Sequence, residues 1–387
     1  MGRWTPWVLA AVPALLVAGF ASPSPPAGAA GGVTVRVLQA VRTIAGPAPV
    51  FRWPAVGEAA VAVGGTGIVG ETRDQRPVPI ASVTKMMTAI VVLHDHPLAP
   101  GQAGPAVEIT AGDVEDWRQE LAAGDSVLAV DVGERLTEYQ LLEALLIPSA
   151  DNVADLLAAW DAGSSDRFVA RMNRTAESLA LTSTHYADPS GVDPRSVSDA
   201  ADQALVAARL MADPVVRGIV RRARISLPIA GIIPNRNPAL AIGGIVGVKG
   251  GYTSHAGYCL VTAAFRMRHA SLVISVALGQ PDEESPASID EELLRVATPA
   301  LRRARLTAPG ARVGTATLTP GPVFPLFGPS TPPTAVVWPG LVVRYAISVP
   351  SAQALRAATP QAAAGTLTIS APWGSLAEVA VTAGPPG

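Results

Sequence analysis

Segments patterned as strands lie at both ends of a helix-patterned middle, and this separation constrains the fold more than any other feature of the chain. Glu58 to Val69 is apolar and broken at Gly64-Gly65, as in a two-stranded hairpin. Ile245 to Tyr252, Ala256 to Phe265 and Ser271 to Leu278 read as three further strands separated by turns. Between these groups, apolar residues recur at helical spacing. Ser82 opens a helix with Met86, Met87, Ile90 and Leu93 on its periodic positions. Thr137 caps a second helix to Ile147, Pro148 interrupts it, and Asn152 to Trp160 resumes the period after a turn at Ser149. Ser165 to Leu179, Asp199 to Met211 and Ile289 to Arg303 complete the helical set. Strands early and late with helices between them predict an α+β fold.

A chain of 387 residues with 49% hydrophobic content can bury a large core and form two domains. Net charge is -2, and most arginines are scattered, which argues against a nucleic-acid partner. Cys259 is the only cysteine, so no intrachain disulfide forms, and its apolar surroundings read as core. Arg3, the apolar run Trp7 to Phe20 and the small residues Ala27-Gly28-Ala29 resemble a secretory signal over residues 1–29. That run, interrupted by Pro13, is shorter than the roughly 20 residues a spanning helix needs. The expected location is therefore extracellular or in the cell envelope, with no stable membrane span in the mature protein. A retained N-terminal anchor is the alternative. Residues 30–55 read as a linker or edge segment and 56–305 as the main domain. Residues 306–387 begin proline-rich and read as a linker followed by a small β-rich module.

Only two lysines occur against 27 arginines, Lys85 and Lys249, and each sits in a short motif. Arginine stays charged at any usable pH, whereas lysine can give up its proton and act as a base. In Ser82-Val83-Thr84-Lys85 a spacing of three on a helix brings hydroxyl and amine to one face. Backbone N–H groups of that first turn are placed to bind an anion. The second motif, Ser149-Ala150-Asp151, lies between two helices, and the third, Lys249-Gly250-Gly251, ends a glycine-flanked strand.

S-x-x-K followed by an S-x-N-like and a K-T-G-like triplet resembles the serine D-alanyl-D-alanine carboxypeptidases, the low-molecular-mass penicillin-binding proteins of the β-lactamase-like superfamily. The stretches Leu146-Ile147-Pro148-Ser149, Thr184 to Gly191 and Val248 to Thr253 are similar to that branch, and the resemblance runs from about Glu58 to Arg303. It implies an antiparallel sheet flanked by helices with a helical subdomain. It also implies Ser82 as nucleophile, Lys85 as general base and Ser149 as proton relay near the leaving amine. Asp151, Lys249, Gly250, Gly251, Tyr252 and Thr253 would bind substrate, with the Ser82 and Tyr252 N–H groups as oxyanion hole. The implied partners are a peptidoglycan stem peptide and β-lactam antibiotics as acylating inhibitors, and no metal or cofactor is required. A class A β-lactamase would need a deacylating glutamate where the chain has Asp188-Pro189-Ser190-Gly191.

Two positions depart from the family pattern. Asp151 stands where asparagine is usual; an ionised carboxylate only accepts hydrogen bonds and favours a charged Lys85. Gly250 stands where threonine or serine is usual, which removes a hydroxyl for the substrate carboxylate. Asn152 and Thr253 are the nearby residues that would have to compensate, and no arginine occurs between Arg268 and Arg295 to help. The second hypothesis is accordingly a catalytically impaired pseudoenzyme that binds the cell wall or regulates. His94 and His96 lack the partners of a metal site, His185 reads as loop support, and Trp117, Trp160, Trp338 and Trp373 read as packing residues.

Overall fold

The computed structural model of the chain describes residues 32–266, 271–357 and 363–386. The segment 1–29, read above as an export signal, lies outside them. A five-stranded antiparallel sheet takes the order Ile245–Thr253, Gly257–Arg266, Ser271–Gln280, Glu58–Val63 and Gly67–Glu71. Its central joint pairs Val273 with Val63 and Leu278 with Glu58, so the two ends of the helical insertion meet in one ladder. Every residue of Glu58–Val63 is buried. Ala60 and Ala62 face one core, while Ala59, Val61 and Val63 face another, as the two-residue period of a strand covered on both sides requires.

One face carries the helices α1 (Lys85–Asp95), α2 (Ala111–Ala123), α3 (Glu138–Leu146), α4 (Asp151–Ala162), α5 (Ser165–Ser178), α6 (Ala200–Leu210) and α7 (Pro214–Val220). The other face is covered by α8 (Ser285–Ala300), whose Leu293, Leu294 and Ala297 are buried there. Buried residues run through Leu93 along α1, so this helix is central rather than amphipathic. Thr137 caps α3 in a reciprocal box with Gln140, as its sequence predicts. The helix expected over Ile289 to Arg303 differs: it starts earlier, at Ser285, and ends at Ala300, after which Arg302–Arg305 is a strand paired with Thr334–Val337.

The residues 30–55 are not merely a linker. Gly32–Val37 pairs with Arg312–Thr319 and Val41–Thr43 with Val342–Ser348, forming the two edges of a seven-stranded antiparallel sheet otherwise built from the C-terminal part. The proline-rich stretch also holds strands, Arg312–Thr319 and Val323–Phe327, with the prolines at the turn and at positions the ladder tolerates. Trp338 is buried, and with Trp373 it lies near Gly67 of the first sheet, so both tryptophans serve packing.

Candidate active site

Ser82 lies in a 3-10 turn, Ala81–Thr84, and α1 begins only at Lys85. The tight turn keeps the predicted spacing effective: Lys85 Nζ is 2.9 Å from Ser82 Oγ. Lys85 is fully buried and contacts two further acceptors, Asp151 Oδ1 at 2.5 Å and the Ser190 carbonyl at 2.8 Å. Asp151 opens α4, and its second oxygen accepts from the Ser126 N–H at 3.0 Å. Lys85 thus sits against the carboxylate of the second motif.

Ser149, with a φ of 70°, occupies the bend between α3 and α4. Lys249 reaches it across the cleft, donating to Ser149 Oγ at 2.7 Å and to the Gly250 carbonyl at 2.7 Å. Burial, reinforced by the Lys85 charge, holds Lys249 well below the ordinary lysine range. Among the described residues Lys249 makes no ion pair, whereas Lys85 pairs with Asp151.

The glycine after Lys249-Gly250 has a steric reason. A Cβ on Gly251 would lie 2.6 Å from the Ser82 nitrogen and 3.1 Å from Ala81 Cβ, so any side chain there would cover the nucleophile's N–H. Tyr252 follows, half exposed, with its ring stacked on Tyr258 at 4.3 Å between centroids. Ser82, Ser149, Asp151, Lys249 and the run Gly250 to Thr253 all line one cleft of about 360 Å³.

Of the two proposed substitutes, Thr253 lines the cleft and Asn152 does not. Asn152 is fixed to Leu128, accepting from its N–H at 2.9 Å and donating to its carbonyl at 3.0 Å. Thr253 Oγ1 accepts from the Ala256 N–H at 3.1 Å. The sequence reading missed Arg236, which follows the hairpin Arg224–Leu227 and Gly231–Pro234, lines the cleft and donates to Ser126 Oγ at 2.9 Å. It also missed the scaffold role of Asp188. One Asp188 oxygen accepts from Ser190 Oγ at 2.7 Å, Gly191 N at 2.7 Å and Val192 N at 2.9 Å, while the other accepts from Ser196 Oγ at 2.5 Å. This fixes the Ser190 carbonyl against Lys85. Exposed His185 joins that loop only through backbone bonds to Val197.

Away from the cleft, His94 pairs with Asp95, and His96 faces Asp161 while stacking on Trp160. Among the described residues no cluster of three or more histidine, cysteine or acidic side chains is arranged to hold a metal. Cys259 is buried, and burial pushes its thiol up to about 12.

A serine hydroxyl against a buried lysine, with a second lysine and serine opposite and an edge strand between them, defines a serine acyl-transfer enzyme of the penicillin-binding fold. The sequence pattern of the D-alanyl-D-alanine carboxypeptidases matches residues 58–282, and the chain belongs to this family of serine peptidases. It is 32% identical over 234 residues to D-alanyl-D-alanine carboxypeptidase DacB2 of Mycobacterium tuberculosis, a match covering 58% of this chain and 76% of that protein. It is 31% identical over 226 residues to DacC of Escherichia coli, covering 55% of this chain and 54% of that one. Among solved structures, D-alanyl-D-alanine carboxypeptidase DacD from Francisella tularensis shares the fold with a TM-score of 0.64 at 20% identity, covering 87% of this chain and 95% of that one. The Streptomyces K15 DD-transpeptidase superposes with a TM-score of 0.57 at 25% identity, over 64% of this chain and 98% of that one.

Proposed function

We propose that the protein is an exported enzyme of the cell envelope that removes the terminal D-alanine from peptidoglycan stem peptides through an acyl-enzyme on Ser82. The observation that carries this reading is the disposition of Lys85. Two of its three contacts, the Asp151 carboxylate and the Ser190 carbonyl, only accept hydrogen bonds and take two N–H groups. The third points at Ser82 Oγ, so once Lys85 gives up a proton its lone pair faces the hydroxyl it must deprotonate.

Ser82 Oγ attacks the carbonyl carbon of the penultimate D-alanine while its proton passes to Lys85. The carbonyl oxygen becomes anionic against the N–H groups of Ser82 and Tyr252. The C–N bond then breaks as the leaving amine takes the Ser149 proton, which the weakened Lys249 ammonium replaces. Water adds to the ester, its proton returning through Ser149 to Lys249. Collapse of that intermediate releases Ser82, which recovers its proton from Lys85. The terminal carboxylate of the substrate meets the Arg236 guanidinium and Lys249.

Mass spectrometry after exposure to penicillin is expected to find one adduct on Ser82, absent from Ser82→Ala, and D-alanine is expected to be released from a stem-peptide mimic. An unmodified Ser82 together with no release would sink the reading. The Asp151 carboxylate against Lys85 favours a second reading, a protein that acylates but turns over poorly and acts by binding the wall. Labelling of Ser82 without release of D-alanine would select it.

A further inference from the structure

Gly250 and Gly251 are adjacent, yet only one of them is explained by packing. At Gly251 a side chain collides with the Ser82 backbone, whereas a Cβ on Gly250 would meet Leu260 Cδ1 at 3.4 Å and the Cys259 carbonyl at 3.6 Å, which is ordinary contact. Gly250 is also absent from the glycines with positive φ. Neither sterics nor backbone conformation therefore demands glycine at 250. What its missing side chain does is open the cleft. The cavity continues around the edge strand Ile245–Thr253 to Tyr258, Leu260, Glu283 and Pro286, on the sheet face opposite Ser82.

Resting on the carboxypeptidase reading, we infer that Gly250 sets the specificity of the leaving-residue side, admitting substrates whose residue after the scissile bond carries a side chain much longer than methyl. A peptide lying along an edge strand sends alternate side chains to opposite faces of the sheet. With its carbonyl at the Tyr252 N–H and its carboxylate at Lys249 and Arg236, the leaving residue lies alongside Gly250. Its side chain passes over the gap toward the Tyr252–Tyr258 stack and Pro286, and an amine at its end meets the exposed Glu283. The substrate class is a D-alanyl-D-amino acid peptide with an extended, amine-tipped leaving residue, which includes a bridge whose leaving amine belongs to a second peptide. The reaction is unchanged: the same C–N bond breaks, and the departing amine takes the Ser149 proton.

The test compares diacetyl-L-Lys-D-Ala-D-Ala with diacetyl-L-Lys-D-Ala-D-Lys on the full chain, reading kcat/KM from the released amino acid. The wild type is expected to cleave both at comparable rates. Gly250→Thr is expected to lower the D-lysine substrate by about tenfold relative to the D-alanine one, and Gly250→Ala to shift the ratio less in the same direction. Gly250→Ala decides the matter if the threonine variant does not fold, because its Cβ fits without displacement. Cleavage of the D-alanine peptide with refusal of the D-lysine peptide by the wild type overturns this inference alone, as does an equal change of both rates in the variants. Cleavage of neither overturns the carboxypeptidase reading, and this inference with it.

Discussion

At the scale of single residues, Asp151 distinguishes this cleft, because a carboxylate holds the side of Lys85 on which an amide is usual. Breaking a buried ion pair leaves a costly lone charge, which is commonly relieved by loss of the proton. In Asp151→Asn the charge that favours the ammonium form of Lys85 is removed, while the amide oxygen can still accept from Lys85 Nζ. The second-order rate of acylation by penicillin is therefore expected to rise by about tenfold. A fall in that rate, with the melting temperature unchanged, would show that the carboxylate assists instead. Gly251→Ala is expected to abolish acylation, since its Cβ falls 2.6 Å from the Ser82 nitrogen, and fluorescent-penicillin labelling reads this directly.

At the scale of elements, the loop through Asp188 holds the Ser190 carbonyl that orients Lys85. Asp188→Ala strips acceptors from two buried hydroxyls and two N–H groups, with an expected cost on the order of 3 kcal/mol in denaturant unfolding. Acylation should slow by about a hundredfold as Lys85 loses its fixed direction. Much of this level is legible from sequence. The period of Met86, Met87, Ile90 and Leu93, the Thr137 cap and the Pro148 break each mark a real boundary. The tight turn at Ser82 did not show in the pattern, because a 3-10 turn and a first helical turn place residues three apart alike. Arg236 was missed for a different reason: it reaches the cleft from a hairpin whose position depends on long-range packing, which spacing does not encode. The edge strands Gly32–Val37 and Val41–Thr43 were read as a linker or edge because few of their residues are buried.

At the scale of the whole molecule, both sheets enclose one continuous apolar cluster that includes Val61, Leu294 and Trp338. Ending the chain after Arg305 would leave Arg302–Arg305 and Gly32–Val37 without partners, so the melting temperature should drop, while the Ser82 cleft, built from other strands, keeps its acylation rate. Burial pushes Asp290 of α8, which accepts from Ser275 Oγ, up to about 8. A raised carboxyl contributes stability that is complete below the unfolded value near 4 and is lost as pH rises through 8. The melting temperature should thus decline between about pH 4 and 8, and Asp290→Asn, which carries no proton to lose, should flatten that decline.

The ladder that joins Val63 to Val273 has a consequence for how the molecule comes into being. The hairpin begun at Glu58 joins its sheet only through the strand ending at Gln280, so the pairing that closes the sheet links positions far apart in sequence, the kind of contact that slows folding. A ribosome that has delivered Ser82 has therefore not yet delivered the strand that completes the nucleophile's own sheet.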